Sequence, residues 1–180
     1  MARATDDTAA AAAFAEAAAQ YCRLIDGLRK GKRARFYARL EAVLSELHRT
    51  ILPLRAKVAG VDRSEGQSRR MDHKQWQKLA GMIGKAVGPD TVALFKWYRQ
   101  TPGNDGWVEW KGTRIDMLDD DLADIYRDVH DGLCHWRTGV PSHRVEAVWI
   151  WRFHFESHWG EHLFNAMMTT HAIRYIVYGD

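Results

Sequence analysis

Cysteine is nearly missing from this 180-residue chain. Only Cys22 and Cys134 are present, and neither belongs to a Cys-x-x-Cys pair. That argues against a disulfide framework or a zinc ribbon and fits a reducing cytoplasm. Isolated cysteines of this kind are usually small buried hydrophobes. Long apolar runs are also lacking. No stretch approaches the ~20 residues a helix needs to span a bilayer, so no membrane association is expected. A basic n-region is nearly absent ahead of the alanine run Ala9 to Ala13, so that run does not read as a signal peptide. There is no Gly-x-Ser-x-Gly, no phosphate-cradling glycine loop, and no Cys set beside a plausible His/Asn pair. Nucleophilic catalysis therefore has no support. Excess charge of one sign is missing too: a net charge of +3 is too small to imply nucleic-acid binding by itself.

What is present is aromatic and helical. Eight tryptophans and an apolar fraction of 46% suit a well-filled core, and the length suits one domain spanning 1–180. Helical spacing of Phe14, Tyr21, Leu24, Ile25 and Leu28 predicts a first helix over about 6–30, with residues 1–8 as a flexible lead. Phe36, Leu40, Val43, Leu44, Leu47 and Ile51 predict a second over 33–52, stopped by Pro53. Residues 60–71 read as a loop, and Asp72 opens a third helix to about Val87. A short piece over about 90–99 follows. Residues 100–117 hold Pro102, Gly103, Gly106 and Gly112 and read as an irregular connection, with a small extended segment at 107–110. Asp119 is a natural N-cap for a helix over 119–137. After Gly139 and Pro141, a last helix runs from Ser142 to about Val177, roughly 50 Å at 1.5 Å per residue. The short connection makes these two antiparallel. The expected fold is an all-α bundle with a C-terminal antiparallel helix hairpin and one long irregular connection.

The chemistry concentrates in that hairpin. On the acidic helix, Leu122, Ile125, Tyr126, Val129, Leu133 and Trp136 share one face. Asp120, Asp124, Asp128 and Asp131 cluster opposite. Such a wall is either a solvated face or a surface for a metal, a basic peptide or a partner. On the long helix, His154, His158, Glu161 and Asn165 run beside the apolar stripe, with His162 at its border. His158 and His162 stand four apart, the spacing at which two imidazoles grip one ion. Asp124 and Asp128, on the antiparallel neighbour, would complete a divalent-metal site, although hydrogen-bonded interface histidines are the commoner arrangement. Gly160, inside a helix, costs about 1 kcal/mol against Ala and predicts a tight crossing by another helix or chain. Early in the chain Arg29, Lys30, Lys32, Arg33 and Arg35 crowd together and could contact phosphates.

Several stretches resemble a bacterial domain family of unknown function, number 5063 in that series. They are Tyr21 with Cys22, Leu47 with His48, Leu52 with Pro53, the run from Asp120 through Leu122 to Asp128, and the pattern Trp149, Phe155, Trp159, Gly160, Ala166 and His171. The resemblance implies a small, mostly helical, cytoplasmic bacterial domain and supplies no reaction. Its shared positions are Asp120, Asp124, Tyr126, Asp128, Trp159, Gly160 and His171.

The leading expectation is a non-enzymatic interaction domain without a cofactor. In it Asp120, Asp124, Tyr126, Asp128 and Trp159 engage a protein partner. The alternatives are a metal-dependent hydrolase or nuclease, with His158, His162, Asp124 and Asp128 as ligands, and nucleic-acid binding through the 23–39 basic segment.

Overall fold

The computed structural model describes residues 2–28, 33–55, 71–87, 92–95, 98–100, 107–109 and 114–177. The fold is a helical bundle. Helix α1 spans Ala2–Asp26, α2 Arg33–Ile51 and α3 His73–Val87. Then come β1 (Val92–Phe95), β2 (Tyr98–Gln100), β3 (Trp107–Glu109) and β4 (Arg114–Met117). Helix α4 is Leu118–Arg137, α5 Pro141–His154 and α6 Gly160–Ala172. Single π turns at 155–159 and 173–177 continue α5 and α6, so the last rod is helical from 141 to 177.

Local chemistry explains most boundaries. Asp72 and Gln75 cap α3 reciprocally: Gln75 N–H donates to Asp72 Oδ1 at 2.8 Å, and Asp72 N–H to Gln75 Oε1 at 2.9 Å. Gly139 takes φ +75° between α4 and α5, a conformation that glycine adopts without a Cβ penalty, and Pro141 opens α5. Three expectations need correction. Helix α1 starts at Ala2, ahead of the expected residue 6. Asp119 is not the cap of α4. Met117 holds that position without a side-chain cap, because β4 runs straight into the helix, and Asp119, Asp120 and Asp121 all lie in its first turn. Finally, the described residues of 92–117 form four strands, and the extended segment expected at 107–110 is β3 (Trp107–Glu109). There β1 pairs antiparallel with β4 (Val92 opposite Met117), and β2 with β3 (Tyr98 opposite Glu109). Val92, Phe95, Tyr98, Trp107, Val108 and Ile115 favour strand over helix. The expected loop over 60–71 falls, up to residue 70, outside the described residues.

Helix α4 is the centre of the molecule. It packs against α1, α3, α5 and α6, while α2 closes on α1 and α6. Thirteen of its 20 residues are buried, so it has no wide solvated face. Tyr21 of α1 donates to the Leu122 carbonyl at 2.7 Å. Trp151 of α5 donates its indole N–H to the Val129 carbonyl at 2.9 Å and stacks edge-on against Phe14 at 4.9 Å. A Cβ on Gly132 would stand 2.2 Å from that indole nitrogen, so only glycine lets α5 approach this closely. The α4–α5 hairpin is antiparallel as expected: Asp128 meets His158, and the earlier Asp121 meets the later His162.

Candidate metal centre

Three aspartates at i, i+3 and i+7 put one carboxylate stripe on α4: Asp121, Asp124 and Asp128. They are 3%, 7% and 0% exposed. Burial of this kind is costly for a charge unless it is paired. The opposing rod supplies the partners. His158 Nδ1 lies 2.5 Å from Asp128 Oδ2, and His162 Nδ1 lies 2.8 Å from Asp121 Oδ1. Each imidazole is thus anchored through one nitrogen and turns the other inward. His158 Nε2 is 3.8 Å from Asp124 Oδ1, and His162 Nε2 is 3.6 Å from Asp124 Oδ2. One ligand atom from each of Asp124, His158 and His162 can be chosen so that all three lie within 4.8 Å of one another. The rings themselves meet edge to face at 4.9 Å. His154, a turn earlier, holds Nδ1 4.0 Å from Asp128 Oδ2.

One cation already reaches into this group. Arg127 Nη2 lies 2.6 Å from Asp124 Oδ1 and 3.4 Å from His158 Nε2. The guanidinium sits on Asp124, while His158 and His162 hydrogen-bond Asp128 and Asp121. His162 responds to the carboxylates around it. Burial, the largest single influence, disfavours its charged form. The hydrogen bond to Asp121 and the charges of Asp124, Asp121 and Asp120 together outweigh it, and its pKa stands above the usual histidine value. Half-buried Asp120 is raised as well, by its burial and by the neighbouring Asp124 charge, with His162 partly offsetting both.

The expected site residues divide. Asp124, Asp128, His158 and His162 do come together, as the composite His/Asp arrangement requires. Within it Asp128 stands behind His158, and Asp121 stands behind His162. Asp120 flanks the group. Tyr126 and Trp159 face elsewhere. Tyr126 donates to Asp26 Oδ1 at 2.9 Å on the α1 side, and Trp159 is fully buried against Phe14 and Phe155. The five residues expected to engage a partner therefore do not form an exposed face. Arg29, Lys30 and Lys32 lie outside the described residues, as does the side chain of Arg33; Arg35 is exposed on α2. Gly160 is explained differently from the expected helix crossing. An added Cβ would meet the Phe155 carbonyl oxygen at 2.2 Å, within the rod's own π turn.

Two residues escaped the sequence reading: Asp121 and Arg127. The i, i+3, i+7 spacing of Asp121, Asp124 and Asp128 was the available signal, since it matches one helical stripe better than the 120, 124, 128 series.

Residues 107–176, which contain every member of this group, match the family model described as a domain of unknown function, DUF5063. The match to DUF5063 covers this segment, less than half of the chain. The earlier fragments, Tyr21 with Cys22, Leu47 with His48 and Leu52 with Pro53, precede the DUF5063 match. No curated protein matches the chain. Among solved structures, the crystal structure of protein BF1032 from Bacteroides fragilis is similar, with a TM-score of 0.73 at 19% identity. The match covers 90% of this chain and 93% of that one. At that identity the likeness speaks for the fold. No described helix is long and apolar enough to cross a membrane.

Proposed function

We propose that this domain binds one divalent transition-metal ion between α4 and the C-terminal rod. His158 Nε2, His162 Nε2 and a carboxylate oxygen of Asp124 would be its ligands. The carrying observation is the paired anchoring. Both imidazoles are tied through Nδ1 to buried aspartates, while both Nε2 atoms turn toward a third. That arrangement fixes tautomer and ring orientation and raises ligand basicity, as carboxylates behind metal-bound histidines do. Charge supports the same reading. A divalent ion suits three neighbouring buried carboxylates, whereas an apolar bundle core gains nothing from three aspartates.

Three protein ligands leave at least one coordination position open, as in catalytic rather than structural metal sites. Water bound there would deprotonate near neutral pH and supply a nucleophile for hydrolysis. The docking alternative has no comparable support, because Asp124, Asp128, Tyr126 and Trp159 are 7% exposed or less.

The test is metal content and titration. Chelator-stripped protein is titrated with Zn²⁺, Mn²⁺ and Fe²⁺ by calorimetry, beside His158→Ala and His162→Ala. One ion per chain in the parent, lost in both variants, is the expected outcome. Absence of saturable binding in the parent would overturn the proposal.

A further inference from the structure

We propose that Arg127 is a built-in competitor for the ion: its guanidinium and the metal take turns at the same position. This rests on the metal reading of the site. Arg127 Nη2 stands 2.6 Å from Asp124 Oδ1 and 3.4 Å from His158 Nε2, two of the three assigned ligands. A metal ion bonds such atoms at about 2.0–2.2 Å, so it would crowd Nη2 at the shared Asp124 oxygen. Two cations do not share that volume.

The guanidinium is held so that it can leave. Its fork is not engaged bidentately by one carboxylate. Buried Nε makes no hydrogen bond, and its nearby ion-pair partner, Asp128 Oδ1, is 3.9 Å away. The side chain is 19% exposed, and His158 beside it is 30% exposed, so this edge of the group opens to solvent. A long, flexible arginine can swing outward there while its stem stays packed on α4. With the ion absent, Arg127 covers the Asp124 charge and keeps the stripe from repelling itself apart. With the ion present, the displaced guanidinium remains close and repels it. Arg127 therefore lowers affinity without being a ligand itself, and the site exchanges its ion rather than trapping it.

Zn²⁺ affinity is measured on the full chain by competition with a chromophoric chelator, for the parent, Arg127→Gln and Arg127→Lys. Removing the competitor should tighten binding at least tenfold in R127Q, with R127K closer to the parent. Binding in R127Q that is equal to or weaker than a measurable parent affinity overturns the competition and leaves the metal site standing. No saturable binding in parent or R127Q overturns both. A second readout needs no variant protein beyond one used for assignment. In ¹⁵N spectra of arginine side chains, the Arg127 Nε resonance, identified by its loss in R127K, should shift on adding one equivalent of Zn²⁺. An unmoved resonance at saturation sinks the exchange.

Discussion

Asp128→Asn isolates the carboxylate behind His158 from the proposed ligands themselves. Asp128 is completely buried, and its Oδ2 lies 2.5 Å from His158 Nδ1. Asparagine keeps the shape, and its carbonyl oxygen can still accept from the imidazole N–H, so the tautomer that presents Nε2 survives. What disappears is the negative charge that makes the imidazole a stronger donor to metal. Loss of such an outer partner costs about 10–100-fold in metal affinity, or roughly 1.4–2.8 kcal/mol at 1.4 kcal/mol per tenfold. The metal-free fold should tolerate the change, because asparagine keeps the hydrogen bond to His158 and removes one of three neighbouring buried carboxylate charges. The expected pattern is a 10–100-fold weaker Zn²⁺ Kd with a metal-free melting temperature unchanged or raised. Asp128→Ala should lose more affinity, since nothing then orients the ring. A D128N affinity within twofold of the parent would refute the role assigned to the carboxylate.

Three further outcomes follow from other parts of the molecule. Gly132→Ala places a methyl 2.2 Å from the Trp151 indole nitrogen, and overpacking of this kind costs about 1–3 kcal/mol; chemical denaturation should show that loss, and an unchanged midpoint would mean α5 is not closely packed there. The metal-free protein should melt lower as pH rises from about 6.5 through the elevated His162 pKa, because the folded state holds that proton more tightly than the unfolded chain; His162→Gln should flatten this slope, and a parent slope of the opposite sign in that window would refute it. Burial raises the Cys22 thiol to about 12, so native protein at neutral pH should leave Cys22 unlabelled by a thiol reagent that modifies it fully in denaturant.

The first three helices, the antiparallel hairpin and the facing of Asp124 and Asp128 toward His158 and His162 were legible in the sequence. Period and loop length determine them, and both are local. The burial of α4 on all sides was not. An amphipathic pattern tells which residues face the core but not whether a polar stripe faces solvent or a second helix carrying complementary polar groups. Asp121 and Asp128 look like surface carboxylates until His162 and His158 are set opposite. The strand pairs of 92–117 were missed for a related reason. Their stabilising partners are up to 25 positions apart, Val92 with Met117, and the glycines between them read as irregular chain.

The π turn at 155–159 links the core to the proposed metal centre, and Gly160 is its test. Trp151 and Trp159 are both fully buried, and the Trp159 indole N–H donates to the Trp151 carbonyl at 3.1 Å. Eight residues of regular helix would leave these two side chains about 80° out of line at 3.6 residues per turn. One extra residue in a single π turn absorbs that offset. It lets Trp159 return to the core near Phe14 while His158, its chain neighbour, still faces Asp128. Such bulges recur at functional sites because they re-aim side chains without breaking the rod. Gly160→Ala brings a methyl against the Phe155 carbonyl oxygen and should push the turn toward regular α-helix. Either Trp159 or His158 must then leave its partner. The expected result is a stability loss of about 1–3 kcal/mol together with weaker Zn²⁺ binding, although Gly160 touches neither ligand nor metal. A variant that melts lower but binds Zn²⁺ with parental affinity would show that the bulge serves packing alone.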